Sequence, residues 1–236
     1  MRKFFVLSLN FLLFLSFSRV SADYYSQCNQ DRFVNENFFN NKRNGTFVDI
    51  GAYDGITISN TYFFEKELGW RGICIEPLPN AYVQLKNNRS AICINCAVGP
   101  NNGMTNFFDI DAKKFPELAM LSGELKYFTD AHIANLKEVV AKYEGRIEIV
   151  SMAVRNINDI LLEYGFFNID FLSLDVEGAE LDILNTLDFN TFKIRIMTVE
   201  NNAREANPQI RQFLESKGFR FVLRLEQDEV YENILL

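Results

Sequence analysis

Two acidic motifs in this chain have the residue types and spacing for proton chemistry. One is Asp175-Val176-Glu177-Gly178-Ala179-Glu180, directly after the short apolar run 171–174; the other is Glu200-Asn201-Asn202, directly after the apolar run 194–199. Carboxylates crowded at the ends of two strands repel one another's ionised forms. That repulsion lifts a pKa towards the range useful for accepting a proton from a hydroxyl. Glu180, three residues after Glu177, suits a second task equally well, because negative charge is favoured at a helix start. The same acids with Asn201 also match an oxygen-ligand set for Mg²⁺, although oxygen-rich clusters are ordinary on protein surfaces, and no metal ligand is assigned.

A third motif is glycine-rich. Val48-Asp49-Ile50-Gly51-Ala52-Tyr53-Asp54-Gly55 ends a β-branched apolar run with two glycines that flank a tight turn, so the backbone can approach a ligand closely. A dinucleotide site would want G-x-G-x-x-G, with the pyrophosphate on the helix N-terminus, and the middle glycine is missing. Asp49 instead suits a cationic amino group. Glu76 closes the next strand, 25 residues after Gly51, where an acid accepts hydrogen bonds from ribose hydroxyls. Ala97, between Cys96 and Val98 at the end of the third strand, would border the adenine edge. A nucleoside with a cationic tail fits these residues, and S-adenosylmethionine is such a molecule.

Neither the cysteines nor the histidine adds a metal site. Cys93 and Cys96 form a C-x-x-C, but they lie in a strand-like run where residues three apart face opposite ways, and no second pair completes a zinc set. With Cys28 and Cys74 they read as core or free thiols. His132 is the single histidine and sits in a helical stretch among Ala131, Ile133 and Ala134, where a structural or exposed role is the default.

The elements that must position these residues alternate. Helical spacing covers 26–40, 59–68, 80–87, 130–143, 157–164, 179–187 and 208–216; strand signals cover 46–50, 72–75, 91–98, 171–174 and 194–199. A hairpin is expected from 219–225 and 229–234, and residues 99–147 read as a loose excursion containing one helix. Strand and helix in turn imply an α/β fold, doubly wound around a mainly parallel sheet of seven strands, with a C-terminal antiparallel hairpin. Ligands bind such sheets outside the carboxyl ends of the strands, where all three motifs fall.

With 236 residues, 48% of them hydrophobic, the chain suits one core. The net charge of −7 and the absence of a basic stripe exclude nucleic acid as a partner. Residues 1–22 read as a signal peptide: Arg2 and Lys3, an apolar run over 4–17 broken by Asn10, then Val20-Ser21-Ala22. That run falls short of the roughly 20 residues a span needs, so cleavage before Asp23 and a secreted or secretory-pathway protein are expected, with a membrane anchor as the alternative. Asn44-Gly45-Thr46 and Asn88-Arg89-Ser90 match glycosylation triplets, a weak signal in an Asn-rich chain.

Taken together, the turn over 46–55, Gly72-Ile73-Cys74-Ile75-Glu76-Pro77, Leu172 to Glu180 and Thr198-Val199-Glu200-Asn201 resemble the FkbM-type methyltransferase family. Ser26-Gln27, Gln30-Asp31 and Met120-Leu121-Ser122-Gly123 extend the likeness over residues 23–236; Tyr53 departs from it, standing where many relatives carry histidine. The resemblance implies a class I methyltransferase fold, S-adenosyl-L-methionine as methyl donor, and an acceptor hydroxyl on a carbohydrate or small molecule. It also implies cofactor contacts from Asp49, Gly51, Tyr53, Gly55, Glu76 and Ala97, with Asp175 orienting the reactants and Glu177 accepting the hydroxyl proton. Since S-adenosylmethionine is made in the cytosol, an exported binding module that keeps the fold without the activity is the competing reading. A nicotinamide oxidoreductase is weakened by the missing glycine.

Overall fold

A computed structural model describes residues 23–112, 114–201 and 207–236; the expected signal peptide lies outside the described residues. Seven strands form the main sheet: β1 (Thr46–Ile50), β2 (Arg71–Ile75), β3 (Ile92–Ile94), β8 (Asn168–Leu174), β9 (Lys193–Glu200), β10 (Phe219–Leu225) and β11 (Asp228–Asn233). Their order is β3-β2-β1-β8-β9-β11-β10, and β11 alone runs antiparallel. The C-terminal hairpin therefore folds back so that its second strand lies between β9 and β10.

Helices cover both faces, as alternation along β1 requires. Val48 and Ile50 pack with α5 (Ile157–Tyr164), α6 (Glu180–Thr186) and α7 (Pro208–Ser216) through Ile160, Leu161, Ile183, Leu184 and Leu214. Phe47 packs on the other face with α1 (Gln30–Val34), α2 (Tyr62–Leu68) and α3 (Pro79–Asn88) through Val34, Phe63, Phe64 and Leu85. Helix boundaries follow local capping chemistry. Asn156 caps α5 by accepting from the Asn158 N–H, and Asn207 caps α7 by accepting from the Gln209 N–H.

Three element boundaries read from the sequence are corrected. The first helix begins at Gln30 and not at 26, because Asp31 gathers the preceding turn: its carboxylate accepts from the Tyr25 and Ser26 N–H groups and the Ser26 hydroxyl. The helix spaced over 59–68 starts at Tyr62, where the Ser59 hydroxyl accepts from the Thr61 and Tyr62 N–H groups. The run 91–98 is two strands, β3 and then β4 (Ala97–Val98), because Asn95 turns the chain by donating to the Glu76 and Pro77 carbonyls.

The excursion after β4 is not loose. β5 (Gly103–Asp111) pairs antiparallel with β7 (Arg146–Arg155) over nine positions, and with β4 and β6 (Gly123–Glu124) they make a second, four-stranded sheet. The expected helix is α4 (Asp130–Lys142), capped by Thr129 and packed on this sheet through Leu136 and Val140. Cys93 and Cys96 pack into cores on opposite faces of the main sheet and, like Cys28 and Cys74, are free thiols. No helix among the described residues is long and apolar enough to cross a membrane.

Candidate active site

A cavity of about 840 Å³ opens outside the carboxyl ends of β1, β2, β8 and β9. Eight carboxylates line it, from Asp49, Glu76, Glu124, Asp175, Glu177, Glu200, Glu226 and Asp228, and no Lys, Arg or His does so among the described residues. Gly51 makes the first wall possible. Its φ is +90°, and a Cβ there would lie 1.7 Å from the Asp175 carbonyl oxygen, so only glycine lets β1 leave the sheet this close to β8. The Asp175 N–H donates to the Ile50 carbonyl at 3.0 Å and the Gly51 N–H to the Ile75 carbonyl at 3.0 Å, tying three strand ends together.

Glu76 is 5% exposed and held from both sides. Its Oε2 accepts from the Tyr53 N–H at 2.9 Å and its Oε1 from the Leu78 N–H at 2.8 Å. Each oxygen keeps a further lone pair for a ligand hydroxyl. Burial pushes the pKa up to about 7 against those two hydrogen bonds. Tyr53 itself has φ +48°, and its ring packs with Leu78, Ala97 and Phe107 beside the cavity. Ala97 is buried in the lining between Cys96 and Val98.

Asp49 and Gly55 look elsewhere. Asp49 reaches the cavity lining, but its Oδ2 accepts from the Thr61 hydroxyl at 2.5 Å and lies 4.0 Å from Arg89 Nη1. Arg89 is wholly enclosed: it donates to Glu65 at 2.5 Å, to the Gly55 carbonyl at 3.0 Å and to Thr61 at 2.9 Å. Burial nonetheless raises the Asp49 pKa, more than Arg89 and Thr61 lower it. Gly55 does not line the cavity; a Cβ there would meet Arg89 Cγ and Leu85 Cδ1 at 2.7 Å, so its glycine serves packing beneath the loop. Asp54 closes that loop, accepting from the Ile56 and Thr57 N–H groups and the Thr57 hydroxyl.

Register brings the acidic motifs together. Asp49, Ser173 and Thr198 form one row across β1, β8 and β9, and Glu200 lies one pleat further out, directly opposite Asp228 on β11. Oxygens of Asp175, Glu177 and Glu200 lie within 4.8 Å of one another, close enough to share a proton or a hard cation. Burial, then neighbouring acids, pushes Glu200 up to about 9 and holds Asp175 and Glu177 well above the usual carboxylate range. Glu177 is held over the opening by a left-handed backbone, φ +59°. A non-glycine residue in that conformation is strained, and such strain gathers at functional sites.

The other two acids of the sequence motifs divide differently. Glu180, 5% exposed, turns its Oε1 back to accept from the Val176 and Gly178 N–H groups, so it shapes the turn that presents Asp175 and Glu177. Asn201 is engaged within the protein. Its Oδ1 accepts from the Asn207 N–H at 2.6 Å and its Nδ2 donates to the Asn207 carbonyl and to Glu229. Sequence reasoning missed Asp228, 3% exposed, whose Oδ2 accepts from Gln30 Nε2 and whose Oδ1 has no partner. Gln30 belonged to a motif already singled out; Asp228, at a hairpin tip, gave no local signal.

The family model described as Methyltransferase FkbM domain matches residues 49–221. A protein named Methyltransferase sdnD from Sordaria araneosa is 27% identical over 198 residues, 75% of this chain and 74% of that protein. The 2-O-methyltransferase NoeI of Sinorhizobium fredii is 26% identical over 172 residues, 70% of this chain and 66% of that protein. A solved structure titled methyltransferase FkbM, from Methylobacillus flagellatus KT, aligns with TM-score 0.44 and 15% identity over 80% of this chain, which spans only 43% of that structure.

Proposed function

Because the chain belongs to the FkbM methyltransferase family, we propose that it transfers the methyl group of S-adenosylmethionine to a hydroxyl of a carbohydrate or small-molecule acceptor. The observation that carries this reading is the charge of the cavity: eight carboxylates and no cationic side chain among the described lining residues. Such a lining suits a ligand with a sulfonium and an ammonium, and repels the pyrophosphate of a nicotinamide cofactor.

When bound, the donor supplies an electrophilic methyl on sulfur, so the protein's tasks are placement and one proton. Glu76 takes the ribose hydroxyls with the lone pairs that Tyr53 and Leu78 leave over. Ala97 and Tyr53 form an apolar wall for the base. Asp175, tied to the β1 turn through its own backbone, orients the reactants. Glu177 would stand beside the acceptor and take the proton that its hydroxyl loses.

Calorimetry of the 23–236 protein with S-adenosylmethionine and S-adenosylhomocysteine tests the reading. Binding of both is expected. Failure of both to bind would leave the competing one, an exported module that keeps the fold without its donor.

A further inference from the structure

Asp49, at the place where an amino group is expected, is turned towards Thr61 and lies 4.0 Å from Arg89. That leaves the ammonium of the donor's amino-acid tail without an assigned acceptor. Among the described residues, three buried side-chain atoms have no hydrogen-bond partner: Asn60 Oδ1, Thr198 Oγ1 and Asp228 Oδ1. All three lie over one face of the main sheet. Asn60, in the turn before α2, donates through Nδ2 to the Ser173 hydroxyl on β8 at 3.0 Å. Ser173 pairs with Thr198 on β9, and Thr198 with Val230 on β11, two residues from Asp228, so alternation puts this row and Asp228 on the same face. Asn60 and Asp228 line the first cavity, whereas Thr198 does not.

We infer that Asp228 and Asn60 receive the ammonium of the donor's amino-acid tail. The inference rests on the methyl-transfer reading, which puts the donor in this cavity, and it supplies residues for the end of the molecule opposite the ribose that Glu76 takes.

Hydrogen-bond chemistry selects the group. A buried acceptor without a partner costs free energy, and a cavity wall that keeps two of them is completed by a ligand that donates. An ammonium has three N–H donors and no acceptor, whereas an ionised carboxylate or phosphate has nothing to donate to either atom.

Each acceptor is also held in place by a bond that spends its other polar atom. Asn60 uses its amide nitrogen on Ser173 and keeps its carbonyl oxygen for the ligand. Asp228 accepts from Gln30 Nε2 through Oδ2 and keeps Oδ1. Asp228 adds charge to the match. Burial raises its pKa, the bond from Gln30 opposes that shift, and an ammonium at Oδ1 would oppose it further.

The test is calorimetry of the 23–236 protein at neutral pH with S-adenosylhomocysteine and with 5′-S-(3-carboxypropyl)-5′-thioadenosine, the same molecule without its amino group. The wild-type protein is expected to bind S-adenosylhomocysteine about tenfold more tightly or better. Asp228→Asn keeps the shape and an acceptor for Gln30 but removes the charge. It should weaken S-adenosylhomocysteine about tenfold while changing the deaminated probe less than about threefold. Asn60→Ala should weaken S-adenosylhomocysteine about threefold, with the deaminated probe again nearly unchanged. Equal wild-type affinity for the two probes overturns the inference, because the amino group then finds no partner. So does a loss in Asp228→Asn that is the same for both probes, since the side chain would then only support the fold. Should Asp228→Asn fail to fold, the same comparison in Asn60→Ala decides, and an equal loss for both probes overturns the inference there too. Absence of S-adenosylhomocysteine binding to the wild-type protein overturns the donor reading itself, a result distinct from a lost preference between bound probes.

Discussion

If the acid cluster is the seat of the donor's sulfonium, donor binding must release protons, and its affinity must rise with pH. Glu200 is pushed up to about 9, so in the unliganded site it holds its proton at neutral pH, and burial with neighbouring acids pushes Asp175 and Glu177 up as well. The groups facing it are also acids: Glu180 on α6 and Asp228 on β11. An opposite charge within a few ångströms lowers a carboxylate pKa by about 1–3 units. Each unit corresponds to about 1.4 kcal/mol of differential interaction between the two protonation states. Between the lowered pKa and about 9, one proton leaves per donor bound, so affinity should rise up to about tenfold per pH unit. The total gain is about 10- to 10³-fold. Above about 9 the curve should flatten, because the free protein is then ionised too. S-adenosylhomocysteine supplies the control, since it shares the ribose contact to Glu76 and the ammonium but has neutral sulfur. Calorimetry in buffers of different ionisation enthalpy counts the protons, and titrations from about pH 6 to 9.5 give the slope. A flat profile for S-adenosylmethionine, or a slope equal to that of S-adenosylhomocysteine, would refute the reasoning.

Four further outcomes are expected. Glu76→Ala should weaken donor binding by about 1.5–3 kcal/mol, as for hydrogen bonds to a charged group, measured by calorimetry. Glu177→Gln should lower turnover by about 10²- to 10⁴-fold with S-adenosylhomocysteine affinity nearly unchanged, since size and polarity are kept and the base is lost; equal losses of rate and affinity would make it a cofactor ligand instead. Gly51→Ala, which sets a methyl 1.7 Å from the Asp175 carbonyl at φ +90°, should cost about 3 kcal/mol or more in urea unfolding. Edman sequencing of material secreted from a eukaryotic host should begin at Asp23, whereas intact Met1 in the membrane fraction would favour the anchored form.

How much of this was legible in the sequence depends on how local each cause is. β1, β8 and β9 are short apolar runs that end in Gly or acid, and α7 runs from Pro208 to Ser216 as its spacing requires, because pattern and cap lie within a few residues. The second sheet escaped, since the pairing of β5 with β7 joins segments about forty residues apart, and neither strand has a cleanly buried face: Met104 and Ile149 are exposed. The split between β3 and β4 depends on Asn95 donating to carbonyls near residue 76, which no window around 95 contains. At the site, Glu76 was legible from its strand end, whereas Asp228 acquires its place only when β11 inserts beside β9.

The motif Asp175 to Glu180 repeats one chemical type three times, yet position gives each acid a different task. Glu180 spends its carboxylate on the Val176 and Gly178 N–H groups and so fixes the turn, and without that cap Glu177 would lose the support for its left-handed backbone. Asp175 lies within 4.8 Å of Glu200, and the register of β9 and β11 adds Asp228 opposite Glu200. These carboxylates resist ionising together, so an unliganded site holds few of them as bases. On the proposed reading, the cation that brings the methyl group also removes that resistance, and Glu177 becomes able to take a proton only once a donor is in place. Base strength and donor occupancy are then set by the same charge. A glutamine at 177 should therefore remove the proton acceptor and leave intact the contacts from Glu76, Tyr53 and Ala97 that hold the nucleoside.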